Sequence, residues 1–187
     1  MVLDAAMKMA SRDGLEGLTI GQLAGELKLS KAGLILHFGS KEALQLQVLE
    51  EAVRRFTERV VVPAFSVPEG VGRLQAILDH WLAWGKDPYL PGGCPLVAAG
   101  MELDDQEGPL RDYLVEQRRL WLEALADSAH GAVRVGEFRE ALDIHLFAFE
   151  YFALVLGFHH AQRLLRDPRA EGHVRLAIAS LFERCRA

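Results

Sequence analysis

An all-helical architecture is what this sequence of 187 residues predicts, and three observations carry the expectation. Apolar residues recur at three- and four-residue spacing nearly everywhere, which is the period of a helix with one buried face. No stretch alternates with period two over the length of a strand. The breaks between periodic runs are punctuated by Pro88 and Pro91, Gly108-Pro109, Gly131 to Gly136 and Asp167-Pro168. Such residues terminate or start helices.

Taken in order, the elements number about nine. The first helix covers residues 2–12, with Leu3, Ala6, Met7 and Ala10 on one face and Gly14 at a natural C-cap position. Thr19 caps a short second helix whose stripe is Ile20, Leu23, Ala24 and Leu27. Lys28 and Leu29 make a tight connection, and Ser30 caps a third helix from Lys31 to Phe38. Gly39 breaks that helix and Ser40 caps a long fourth one over 41–62, which carries Leu49, Ala52, Val53, Phe56 and Val60 and stops before Pro63. A linker with Pro63, Pro68, Gly70 and Gly72 follows. Five further segments read as helices, over 71–86, 94–104, 109–130, 142–166 and 169–185. Asp167 as N-cap with Pro168 in the first helical position is a strong start signal for the last of them. The natural border lies near residue 47, giving a head over 1–47 and a body over 48–187.

Composition narrows the function classes. Half of the residues are hydrophobic, ample for a packed core, and the net charge of -5 excludes a surface that is basic all over. Any nucleic-acid surface is therefore local. The head is nearly neutral, but four of the five lysines lie within the first 41 residues. Cys94 and Cys185 are far apart and form no paired motif, so neither a zinc site nor a disulfide framework is expected. This suits a reducing cytoplasm. Asp4, Lys8 and Arg12 interrupt any apolar leader, and the apolar stretch Leu146 to Phe158 is too short to span a bilayer. The expected location is cytoplasmic, with no membrane partner and no cofactor.

Three short helices within about 40 residues, the second and third joined by a tight turn, form a helix-turn-helix pattern. Leu34 and Phe38, spaced i and i+4, anchor the third helix inward. Lys31, Ala32, Gly33, Ile35, Leu36 and His37 then share its outer face. Small Ala32 and Gly33 permit close approach to a groove, Lys31 can donate to guanine or phosphate, and Ile35 offers an apolar contact to a thymine methyl. Thr19, Ser30, His37 and Lys41 supply donors at helix ends suited to phosphates. The same caps and stripes also suit an ordinary three-helix subdomain, so the pattern alone leaves that alternative open.

The runs Leu18-Thr19-Ile20-Gly21-Gln22-Leu23-Ala24, Leu29-Ser30-Lys31-Ala32-Gly33-Leu34 and His37-Phe38-Gly39-Ser40-Lys41-Glu42-Ala43-Leu44 resemble the head of the TetR/AcrR family of bacterial regulators. The resemblance implies an all-helical homodimer with two DNA-reading heads and a C-terminal effector pocket. It places DNA contacts at Thr19, Lys31, Ala32, Gly33, Ile35, His37 and Lys41. Two positions depart from the family pattern: Ile35 stands where an aromatic residue is usual, and Lys28 where a turn glycine is common. The 187-residue sequence opens almost inside its first helix and carries no basic N-terminal arm.

The body resembles a subgroup of that family through Gly92-Gly93-Cys94-Pro95-Leu96, Glu102-Leu103-Asp104, Gly108-Pro109-Leu110-Arg111-Asp112, Ala148-Phe149-Glu150 and His160-Ala161-Gln162-Arg163-Leu164-Leu165. Segment 142–166 is apolar nearly all round and must be covered on several sides. In the resembled family the last two helices pair with their two-fold mates, which makes Leu156, His160, Arg163, Val174, Ile178, Leu181 and Phe182 the expected dimer contacts. Trp81, Trp84, Cys94, Ala98, Met101, Glu102, Trp121, Phe147, Glu150, Tyr151, Leu154 and Phe158 are the expected lining of an effector pocket, since aromatic walls with a few polar groups typify small-molecule sites. Most of these positions suit plain core equally well.

His159-His160 could suggest a metal, but adjacent helical residues point about 100° apart, so no metal site is expected. Cys94 has no basic neighbour in sequence to activate it as a redox sensor. No nucleophile elbow, P-loop or dinucleotide fingerprint is present, so no enzyme is expected. The resulting expectation is a ligand-responsive regulator, more often a repressor in the resembled family, that reads a palindromic operator through the helix after Ser30. The rival is a small-molecule-binding helical dimer whose head no longer reads DNA. A helical-bundle enzyme using Glu102 and His159 on a metal is the third reading.

Overall fold

The computed structural model describes residues 2–187, and these are helical, with one isolated antiparallel bridge between Phe138 and Arg186 as the sole extended pairing among them. The order is α1 (Val2–Gly17), α2 (Ile20–Leu27), α3 (Lys31–Phe38), α4 (Lys41–Phe56), a π-turn (Thr57–Val61), α5 (Val62–Phe65), α6 (Val71–Gly85), α7 (Pro95–Glu102), α8 (Pro109–Arg134), α9 (Ile144–Arg163) and α10 (Ala170–Cys185). Nine of the helices have two turns or more, and α5 is a single turn.

By packing, the chain forms two compact units. The first comprises the residues up to Thr57 together with Gly85–Gln117. Its core is built from Ala6, Met7 and Ala10 of α1, Leu23 of α2, Leu34 and Phe38 of α3, and Leu44, Val48, Leu49 and Ala52 of α4, all buried. Helices α2, α3 and α4 each start on a side-chain cap of the kind that satisfies otherwise orphaned backbone donors. Thr19 Oγ1 accepts from the Gln22 N–H, Ser30 Oγ from the Gly33 N–H at 2.9 Å, and Ser40 Oγ from the Ala43 N–H at 3.0 Å. The α2–α3 turn closes through Lys28 in the left-handed region (φ 54°), and the Leu29 N–H reaches back to the Ala24 carbonyl at 3.0 Å.

Segment 92–102 is tied into this unit by hydrogen bonds of long sequence range. Ser11, itself buried, donates its hydroxyl to the Gly93 carbonyl at 2.8 Å and accepts from the Gly92 N–H at 3.0 Å. Gly92 lies so close to α1 that a Cβ placed there would sit 1.4 Å from the Ser11 carbonyl oxygen. Gly14 has φ +79° and kinks α1, yet one more turn follows, through Gly17. That turn exists because the Glu102 carboxylate caps it, accepting from the N–H groups of Leu15 at 3.1 Å and Glu16 at 2.9 Å. Gln45 donates to the Leu15 carbonyl from α4. The first helix therefore outruns its expected end at residue 12.

The second unit comprises Glu58–Trp84 and Arg118–Ala187. Its centre is an aromatic cluster in which Phe147 stacks on Phe182 (6.2 Å between ring centroids) and packs against Phe138 (5.5 Å) and Tyr151 (6.0 Å). The Tyr151 hydroxyl donates to the Leu74 carbonyl at 2.9 Å, which satisfies a fully buried polar group. A second aromatic group joins Trp81 edge-on to Trp121 at 5.2 Å, with Phe152 at 5.9 Å from Trp81 and the Arg118 guanidinium over the Phe152 ring. Asp143 caps α9 by accepting from His145 and Leu146. By length and hydropathy α9 is comparable to a membrane span, but Phe147, Ala148, Tyr151, Val155 and Phe158 are buried within the unit. Helical structure also continues past Pro63, because that residue falls in the first turn of α5, where its missing N–H costs nothing.

Candidate functional site

The exposed side of α3 is the best-defined candidate surface. Leu34 and Phe38 are buried, as the i, i+4 spacing requires, and they dock α3 on the rest of the first unit. Ser30, Lys31, Ala32, Gly33, Ile35 and His37 are all exposed, and Thr19 and Lys41 are partly so. The eight expected DNA contacts thus lie on α3 and at the starts of α2, α3 and α4, each at least partly exposed. His37 packs edge-on to Phe38 at 4.6 Å, which sets its ring beside the helix end.

Three of the eight side chains have polar partners already, Ser30 through its cap on the Gly33 N–H. The Thr19 hydroxyl donates to Gln22 Oε1 at 2.8 Å while capping α2. Lys41 Nζ pairs with Glu16 Oε1 at 2.8 Å, with Glu16 largely exposed. An exposed pair of this kind is worth about 0–1 kcal/mol, so a phosphate can displace it at little cost. One outward side chain stands outside the eight expected contacts. Leu36 is 90% exposed, more than any other large apolar residue described. Its signal was present in the helical period, since it lies opposite both anchors.

The expected effector lining divides between the two units and several members have structural employment. Cys94, Ala98, Met101 and Glu102 belong to the first unit, and the remaining eight to the second. Met101 is exposed, and Glu102 is the cap of the last turn of α1, so its carboxylate is occupied by two backbone donors. Phe147 and Tyr151 are core, locked in the aromatic cluster. Glu150 pairs with Arg184 at 3.1 Å. Trp81 and Trp121 do come together, and Phe152, absent from the expected set, joins them. Trp84 and Phe158 are buried and Leu154 is half-buried.

The expected dimer contacts need a correction. Val174, Ile178, Leu181 and Phe182 are buried inside the single chain, where α10 packs on α9, and cannot face a partner. His160 and Arg163 are exposed and Leu156 is half-buried. The apolar surface that α9 and α10 leave open consists instead of Leu146, Phe149 (67% exposed), Ala153 and Gly157 on α9 and Leu176 (69% exposed) on α10. His159 is half-buried, and burial lowers its pKa below the ordinary imidazole value.

Comparison with known proteins agrees with this geometry. Residues 2–48 match the family model for bacterial regulatory proteins of the tetR family, and residues 70–178 match the tetracyclin repressor-like C-terminal domain. No functionally curated protein matches the sequence. Among solved structures, a TetR transcriptional regulator from Chloroflexus aurantiacus J-10-FL superposes with a TM-score of 0.89 at 25% identity, over 99% of this chain and 93% of that one. A transcriptional regulator from Saccharomonospora viridis, solved in complex with choline, gives 0.85 at 20% identity over 97% and 93%. The regulator AibR, solved with isovaleryl coenzyme A and operator DNA, gives 0.75 at 19% identity over 96% and 94%. The matched families are transcriptional regulators rather than enzymes, and the chain belongs to the TetR family of bacterial transcriptional regulators.

Proposed function

We propose that the protein is a ligand-responsive repressor that acts in the cytoplasm and reads a palindromic operator as a homodimer, one α3 in the major groove of each half-site. The observation that carries this reading is the exposed outer face of α3, anchored from behind by Leu34 and Phe38 and flanked by the caps Thr19, Ser30 and Ser40. Backbone N–H groups at those helix starts favour phosphates, and Lys31 and Lys41 add charge. A two-fold dimer suits DNA because its heads can address half-sites about 34–36 Å apart. The partner face we assign is the stripe of exposed Leu146, Phe149 and Ala153 and half-buried Leu156 of α9, with exposed Leu176 of α10. Its three- and four-residue spacing is that of a helix-pairing seam.

Choline in one solved neighbour and isovaleryl coenzyme A in another support a small-molecule effector for this chain as well. The effector acts by population shift, favouring a head spacing that does not fit the operator, with a coupling equal to its differential affinity for the two states. Two structural features suit such coupling: the Ser11 and Glu102 bonds between α1 and segment 92–102, and the π-turn at Thr57–Val61, a local irregularity of the kind found at functional sites. The test is selection of bound sequences from random duplex DNA. An enriched inverted repeat bound by two chains is the expected result. Enrichment of nothing, with binding equal on all duplexes, refutes the reading and favours the rival of a helical ligand-binding dimer.

A further inference from the structure

We propose that Leu36, flanked by Ile35, reads thymine C5-methyl groups in the major groove and sets the base preference of α3. This rests on the DNA-reading assignment above and adds the chemistry by which bases are distinguished. Leu36 stands two positions from each buried anchor, roughly 160–200° around the helix from Leu34 and Phe38, and so projects from the centre of the outward face. At 90% exposure it makes almost no contact with its own chain, and Ile35 beside it is 43% exposed. A single exposed leucine is ordinary, but two adjacent apolar side chains on a helix whose eight residues are otherwise capped and anchored form a surface with no intramolecular purpose.

The rest of α3 is poor in groups that read bases by hydrogen bonding. Its sequence is Lys-Ala-Gly-Leu-Ile-Leu-His-Phe, so it has no Arg, Asn or Gln to make the bidentate hydrogen bonds that distinguish guanine or adenine. Lys31 stands at its first position and His37 near its end, where the helix approaches the backbone strands. In the first turn, four and three positions before Leu36, Ala32 and Gly33 are small and exposed, which lets the helix sit deep enough for Leu36 to reach base edges. The one major-groove feature an aliphatic side chain recognises is the thymine methyl.

The experiment uses the duplex recovered by selection, with each symmetry-related pair of thymines replaced in turn by deoxyuridine, which removes only the methyl. Loss of one buried methyl contact corresponds to about 0.8 kcal/mol, or about 4-fold, so two per dimer give about 15-fold. The wild-type protein is expected to lose about that much at one thymine pair in each half-site. Leu36→Ala is expected to bind the thymine duplex correspondingly more weakly and to be indifferent to the replacement, whereas Leu36→Met keeps the sensitivity. The exposure of Leu36 means that neither variant loses internal packing, and circular dichroism checks that both remain folded. If no replacement weakens binding by more than about 2-fold, or if Leu36→Ala remains fully sensitive, the methyl contact is refuted while DNA reading stands. If selection enriches no sequence at all, the DNA-reading assignment falls, and this proposal falls with it.

Discussion

Replacing Gly92 by alanine tests how segment 92–102 is held against α1. The added Cβ would lie 1.4 Å from the Ser11 carbonyl oxygen, 2.3 Å from the Ser11 carbonyl carbon and 2.9 Å from the Arg12 nitrogen, all of them backbone atoms. Ordinary contact needs about 3.5 Å, so the two segments must part by roughly 2 Å. At that separation the Ser11 bonds, 2.8 Å and 3.0 Å in length, no longer exist. A buried polar group left without its partner costs about 1–3 kcal/mol, and residual overpacking adds about 1–3 kcal/mol. A loss of about 2–6 kcal/mol follows, a large part of the roughly 5–15 kcal/mol that holds a typical domain together. Urea unfolding at fixed protein concentration measures it, which holds any contribution of the proposed association constant. Ser11→Ala is expected to cost less, about 1–3 kcal/mol, since it loses the bonds without the collision. Combining the two is not expected to rescue Gly92→Ala, because the clash is with backbone. A midpoint for Gly92→Ala within about 0.3 M of wild type, or rescue by Ser11→Ala, would refute the close approach.

Lys28 closes the α2–α3 turn at φ 54°, a conformation that disfavours residues with a Cβ. Lys28→Gly is therefore expected to stabilise the protein by about 0.5–1 kcal/mol and to raise its melting temperature, as measured by calorimetry. Glu51 is held at a pKa of about 2 by hydrogen bonds, first from Arg54 and also from Arg55, and Asp4 likewise by Arg55. A carboxyl whose folded pKa is lowered stabilises above its ordinary value and stops doing so as the pH falls towards the folded one. Stability is thus expected to fall between about pH 5 and pH 2, and Glu51→Gln to flatten that slope and lower stability at neutral pH by about 1–2 kcal/mol. Phe149→Arg places a charge in the proposed partner face without touching the core, and sedimentation is expected to show a dimer for the parent chain and a monomer for the variant.

Much of the head was readable from sequence because its structure is local. Thr19, Ser30 and Ser40 each cap the helix that directly follows, and the anchors Leu34 and Phe38 lie one turn apart. What escaped was set by distant partners. The last turn of α1 depends on Glu102, 87 positions beyond Leu15, and no local signal announces that cap. The same cap occupies the carboxylate expected to meet an effector. The orientation of α10 escaped for a different reason. With α9 apolar nearly all round, periodicity could not tell its inward side from its outward one, and the packing of α10 on α9 turned Val174, Ile178, Leu181 and Phe182 inward. Phe147 and Tyr151 read as pocket walls on residue type, whereas both stack on Phe182, and Phe147 also packs against Phe138, deep in the core.

Salt titration of binding to the selected duplex and to a scrambled duplex of equal length reaches the heart of the matter. If α3 sits in the groove of each half-site, the selected duplex is expected to bind at least about a thousandfold more tightly than the scrambled one, and both affinities to fall steeply as salt rises. Equal affinity for the two duplexes, with no dependence on salt, would mean that the outer face of α3 serves something other than DNA.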